Sequence, residues 1–299
     1  MPPRGTPLRR TLRRAAGGVA LLVAVGAVSA GGLWLALPDP APLARTNPRT
    51  TALIEQRRAE ARAKRRGFRP RRTWVPLERI SRRLVDAVVL SEDARFWGHE
   101  GIDWEATREA AQHDLARGRF ARGASTITQQ LAKNLWYGTE KSLWRKAKEA
   151  VLASKLERAL SKRRILALYL NVAEWGGDGV FGIEAGASHH FGTSAAGLST
   201  AQAVVMASML PAPRRVCLDH PSSWLIRRSR RLLDRMAAAG RIGAEEHLSA
   251  SGELERILAG SKPADDLEEP PDEEAEPAAA PPAAPAGGGE RPADPVAAP

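Results

Sequence analysis

Apolar residues follow three different patterns along this chain. From Gly17 to Leu37, twenty-one successive residues carry no charge. From Leu77 to Leu258 apolar positions recur at helical spacing, as in Ile80, Leu84, Val85, Val88, Val89 and Leu90. Beyond residue 261 the pattern is lost. Strand-like alternation is scarce, so the middle of the chain predicts a mostly α domain. Start and stop signals divide it further. Asp103 can cap a helix from Trp104 to Leu115, Ser125 the next, and Ser142 a long one reaching about Leu160. Ser199-Thr-Ala-Gln202 has capping-box form ahead of an apolar run to Leu210, which Pro211-Ala-Pro213 stops. A last helix is expected from Ser222 to Ala239.

The uncharged run is long enough, as a helix, to span about 30 Å, the thickness of a bilayer's hydrocarbon core. Residues 1–16 before it hold five arginines and no acid, which favours a cytoplasmic N-terminus. Trp34 suits the far interface. A cleavable signal is the rival reading, because Val28-Ser29-Ala30 resembles a small-residue cleavage site, but the apolar run continues past it to Leu37. Pro38-Asp39-Pro40 ends the span. Residues 38–72 then read as a basic juxtamembrane linker. Its 57–72 portion carries nine Arg or Lys against the single acid Glu60 and suits either a solvated face or a place along anionic headgroups. The folded domain is expected over 73–260. Residues 261–299 begin with eight acids between Asp265 and Glu276 and continue rich in Ala, Pro and Gly, the composition of a disordered tail.

Composition narrows the chemistry only slightly. A net charge of +11 and a pI near 10.5 suit nucleic acid, an anionic membrane or a phosphate-bearing substrate. The single cysteine, Cys217, excludes an intramolecular disulfide. No CxxC or HExxH motif suggests a structural metal.

Four segments concentrate polar groups. Ser91-Glu-Asp-Ala-Arg-Phe-Trp-Gly-His-Glu-Gly101 follows an apolar helix and places adjacent carboxylates at its end. A carboxylate partly desolvated there suits acid–base work, although helix-end decoration over a core Phe96 and Trp97 would read the same. In Gly123-Ala-Ser-Thr-Ile-Thr-Gln-Gln-Leu-Ala-Lys-Asn134 a helix N-terminus with hydroxyls can bind an anion or a sugar. Helical spacing puts Ser125, Gln129 and Lys133 on one face. Lys141, Arg145, Lys146 and Lys148 put four cations within eight residues, enough for a pyrophosphate. Glu149 among them can tune those cations or hold a divalent ion, and an ordinary i,i+4 pair with Arg145 is the plainer alternative. Lys162 to Asn171 reads as a core stripe containing Tyr169, with Asn171 capping the turn into a Gly-rich stretch.

In this order the segments resemble the family-51 peptidoglycan glycosyltransferases, most closely the monofunctional members with one membrane anchor. The match runs from about Trp74 to Arg215 and rests on four motifs. These are ED-x-x-F-x-x-H-x-G at Glu92 to Gly101, S-T-I-T-Q-Q-x-x-K-N at Ser125 to Asn134, R-K-x-x-E at Arg145 to Glu149, and K-x-x-I-L-x-x-Y-L-N at Lys162 to Asn171. The resemblance implies a lysozyme-like helical domain behind a single transmembrane helix. It implies that the enzyme joins lipid II units with inversion, Glu92 acting as base and Glu149 as second essential carboxylate. Lys133, Lys141 and Arg145 would serve the pyrophosphate and nearby sugars. Asp93, Phe96, His99, Ser125, Thr126, Gln129, Gln130, Asn134 and Lys146 complete the expected substrate-binding set. A divalent cation, Mg or Mn, assists in the family, and nothing in this sequence specifies one.

Expected partners are lipid II, the growing glycan, membrane lipids and other cell-wall synthesis proteins, with no nucleic acid. The expected location is the bacterial inner membrane, with the catalytic domain periplasmic. Three positions depart from the family pattern: Ala124 for a common glycine, Lys141 for a frequent arginine, and His190 before Phe191 for the usual tyrosine. The SxxK and KTG motifs of a penicillin-binding domain are absent from the sequence, which predicts no transpeptidase activity. The rival classes are a lytic enzyme on finished glycan and a silent scaffold. The cation-rich third segment argues against the first, and the retained polar motifs against the second.

Overall fold

The computed structural model describes residues 31–117, 125–139, 142–177 and 179–259, with positions 17, 18, 21, 24–26 and 28. The fold is mostly helical, as the spacing predicts. Helices α1 (Ala52–Ala63), α2 (Arg82–Glu92), α3 (Trp104–Arg117), α4 (Ile127–Trp136) and α5 (Leu143–Ala159) lead to α6 (Lys162–Val172). A short antiparallel hairpin, β1 (Glu174–Gly176) and β2 (Val180–Phe181), follows. Then come α7 (Ile183–Phe191), α8 (Thr200–Met209), α9 (Ser223–Ala238) and α10 (Ala244–Leu258).

Two central helices organise the core. In α8 every residue from Ala203 to Met209 is buried, and α2, α9 and α10 pack around it. Residues Ile165 to Val172 of α6 are likewise buried, with α4 packed against them and α5 packed mainly on α4. A helix apolar on all sides is stable only in such a position. The expected caps at Ser142, Ser222 and the Ser199–Gln202 box are present, as is the Asp103 cap through its Oδ1 on the Ala106 N–H. Asn171 differs from expectation. It lies inside α6, fully buried, and its amide clamps the backbone N–H and C=O of Val75, so it fastens the strand of chain before α2 rather than capping a turn.

The stretch read as a linker is also structured. Thr51 caps α1, whose Leu53 and Ile54 are buried, and α1 packs on α4. Arg57 forks onto Glu174 at 2.8–3.1 Å and also meets Glu60, so part of the basic run is spent on internal pairs. Arg62, Lys64, Arg65 and Arg66 remain exposed. In the apolar N-terminal run every described residue from 17 to 36 is helical, yet among the described residues no helix is long and apolar enough to cross a membrane. Residues 1–16 and 260–299 lie outside the described residues.

Candidate active site

The end of α2 and the start of α4 meet through Asp93. This residue caps α2, and its Oδ2 accepts the N–H of Ile127, the first residue of α4, at 3.0 Å. A carboxylate is well placed there, at the positive end of a helix. His99 Nδ1 accepts the Gly101 N–H, so its proton sits on Nε2 and points to Asp93 at 2.9–3.0 Å. Gly101 has φ +93°, and a Cβ there would lie 3.0 Å from the Ala153 carbonyl of α5, so the motif glycine is required by both conformation and space. Its own carbonyl accepts from the Thr126 hydroxyl at 2.7 Å.

These contacts sort the expected site residues. Phe96 is fully buried beneath the Lys162 ammonium, and Asp93, Thr126, Gln129 and Asn134 are each below 9% exposed. All five are buried in the frame of the site. Trp97, by contrast, is half exposed and not in the core. The cap of α4 is Thr126, not Ser125, because Thr126 has Gln129 three residues later to complete a reciprocal capping box. Gln129 is therefore occupied at the helix end and does not share a ligand-facing row with Ser125 and Lys133. Lys141 lies outside the described residues.

Glu92 stands one residue before this frame, with its side chain 10% exposed. Gln130 donates from Nε2 to Glu92 Oε2 at 2.8 Å, and Tyr169 donates its hydroxyl to Gln130 Oε1 at 2.9 Å. The amide is thereby fixed in one orientation and Glu92 is held by a relay from the core. Arg228 of α9 reaches Glu92 Oε1 at 3.4 Å. The sequence singles out neither helper. Tyr169 was legible only as a core residue, and Arg228 is one of five arginines on α9 with no signal to single it out.

The cationic group sits on α4 and α5. Glu149 is 1% exposed, pairs with Arg145, and lies 3.4 Å from Lys146 Nζ. Lys146 also donates to Ser125 Oγ at 2.6 Å, which brings the loop before α4 into the cluster. Burial holds the Lys133 ammonium below the ordinary lysine value. Glu149 and then Glu92 oppose that shift, while Lys146 and Arg145 add to it. Lys133 thus feels both carboxylates at once and marks where the base and the cation cluster adjoin. The Glu149 oxygens face two cations, a donor set that does not fit a metal ion. Among the described residues no three His, Cys, Asp or Glu converge as metal ligands. A separate open cavity of about 1140 Å³ runs past Trp97, His99, Trp104 and Ser154, and its lining excludes Glu92, Lys133 and Glu149.

Taken together, a largely buried carboxylate and a neighbouring group of cations suit the displacement of an anionic leaving group by a deprotonated nucleophile. A family model described as Transglycosylase matches residues 59–237. The chain belongs to that family. It is similar to proteins named biosynthetic peptidoglycan transglycosylase from three bacteria. The one from Nitrosospira multiformis is 44% identical over 193 residues, covering 64% of this chain and 84% of the relative. Those from Herminiimonas arsenicoxydans and Dechloromonas aromatica are 45% and 46% identical, each covering 64% of this chain and 83% of the relative.

Proposed function

We propose that this chain polymerises lipid II into β-1,4-linked glycan strands for the bacterial cell wall, releasing undecaprenyl pyrophosphate. Glu92 takes the proton of the acceptor sugar's 4-hydroxyl. That oxygen forms a bond to the donor's anomeric carbon as the bond to the pyrophosphate breaks, with inversion. The leaving group departs already anionic, so the electrostatic task is to hold its charge, which falls to Lys133, Arg145 and Lys146. Glu149 keeps the last two in place. Lys141 joins this set in our reading. The observation that carries the proposal is that α4 gathers both halves of the site: Gln130 holds Glu92, while Lys146, paired with Glu149, donates to Ser125 just before the same helix.

The reaction as we write it draws on these side chains. A divalent ion, where present, would arrive with the pyrophosphate rather than on Glu149. This sequence holds no SxxK or KTG, so transpeptidase chemistry forms no part of this proposal. We place residues 17–37 across the inner membrane, with the N-terminus cytoplasmic and the catalytic domain periplasmic. The exposed Leu21, Val25, Val28 and Leu35 support this, since an apolar helix with bare side chains needs a cover. Leu143 and Trp144, 92% and 59% exposed at the start of α5, suit contact with the same membrane.

The test is lipid II turnover by the full chain and by Glu92→Gln. The wild type should yield glycan strands and free lipid pyrophosphate. The variant should lose at least about a hundredfold in rate while still binding lipid II. Cleavage of finished glycan without polymerisation would overturn the assignment, and an unimpaired Glu92→Gln would remove that residue from the chemistry.

A further inference from the structure

The chain between the apolar helix and the catalytic domain has no slack. Lys155 of α5 donates to the carbonyl oxygens of Trp34 and Leu37 at 3.0 and 2.8 Å. Those carbonyls end a helix and have no partner within it, so a cation from another element is a strong cap. The Lys155 ammonium and the Arg158 guanidinium also lie over the Trp34 ring, 5.5 and 4.9 Å from its centre. Leu37 is buried in the main core. Further on, Arg164 of α6 donates to the carbonyls of Leu43 and Thr46 and to the Asn47 side chain at 2.7–2.9 Å. Arg72 takes the carbonyls of Pro48 and Arg49, both at 2.7 Å. Thr51 then caps α1. Residues 34–49 are thus a strap, fixed at its backbone by three cations, Lys155, Arg164 and Arg72, with Arg158 on the Trp34 ring.

We infer that this strap locks the apolar helix to α5, and that Lys155, Arg158 and Arg164 are positioning residues which set the height and tilt of the cleft over the membrane. The inference rests on the reading of residues 17–37 as an anchor and of a lipid-linked donor. α5 carries both ends of the device. The clamp at Lys155 and the pyrophosphate cation Arg145 are ten residues apart on one helix, about 15 Å along its axis. A rigid rod of that length fixes the distance from the anchor's end to the charge that must meet a headgroup-level pyrophosphate. A loosely tethered domain would have to find that geometry in each encounter.

The test uses the full chain in liposomes. One donor is lipid II embedded in the bilayer, and the other is a short-chain, water-soluble lipid II analogue. Lys155→Ala/Arg158→Ala/Arg164→Ala should lose about tenfold in kcat/KM on the bilayer donor and less than about twofold on the soluble one. Trp34→Ala, which alters only the anchor side of the clamp, should show the same selectivity with a smaller loss. Equal losses on both donors would assign these residues to catalysis or folding and overturn the inference, as would no loss on either. A wild type that polymerises neither donor would instead overturn the proposed function.

Discussion

Glu149→Gln removes the charge that Arg145 and Lys146 share but keeps its volume. Opposite charges about 4 Å apart attract by about 4 kcal/mol at an effective dielectric near 20. The two pairs are unequal. The Lys146 side chain is 45% exposed, so its pairing is screened and contributes under about 1 kcal/mol. Glu149 and Arg145, at 2% and 17%, form the larger part. Removing one partner of a buried pair costs about 3–5 kcal/mol. The amide oxygen can still accept from Arg145, so the low end, about 3 kcal/mol, is expected. For a domain of about 190 residues that lowers the melting temperature by about 6–12 °C. A second readout follows from Lys133. Its proton affinity is already lowered by burial, and Glu149 is the foremost charge opposing that shift. Without Glu149 the affinity falls further. The cluster needs a charged Lys133 to hold a pyrophosphate, so the alkaline limb of the polymerisation pH profile must move to lower pH. Steady-state rates on lipid II across the alkaline range, with a thermal melt, measure both effects. An alkaline limb that stays in place or moves upward would refute the electrostatic account of the cluster.

Other expectations follow from single contacts. Tyr169→Phe removes the donor that orients Gln130, about 1 kcal/mol, and should lower kcat several-fold with KM nearly unchanged in the same assay. Gly101→Ala forces a Cβ against the Ala153 carbonyl at positive φ and should cost about 1–3 kcal/mol in denaturant unfolding. Thr126→Ala should cost about 1 kcal/mol as the loss of a helix cap, whereas Ser125→Ala should leave the unfolding midpoint in place. A reversed order for that last pair would return the cap to Ser125.

Much of the helical layout was legible because its signals are local. Ser142, Ser199 and Ser222 announce helix starts by side chains that reach only three residues ahead. The ambiguity at Ser125-Thr126 was also local, and the capping box resolves it through Gln129, a residue the sequence had offered to the ligand. The strap was not legible. Its hydrogen bonds accept mostly at main-chain carbonyls, which every residue has, and two of its donors, Lys155 and Arg164, sit more than 100 positions away on α5 and α6. The motifs gave Glu92, Lys133 and Glu149 together, but they could not separate residues that line the site from those that frame it. Asp93, Thr126 and Gln129 owe their burial to contacts between the ends of α2 and α4, which spacing within either helix does not encode.

The arginine beside Glu92 comes from the far end of the domain, 136 positions along the chain. Gln130 can reach the carboxylate once α2 and α4 have met, but Arg228 arrives only when α9 has docked on α2 and α8. Contacts of such long separation form slowly and late. A chain still folding therefore displays all four sequence motifs before its base has its full set of neighbours. A complete environment for the base is in this sense a report that the last helices are home.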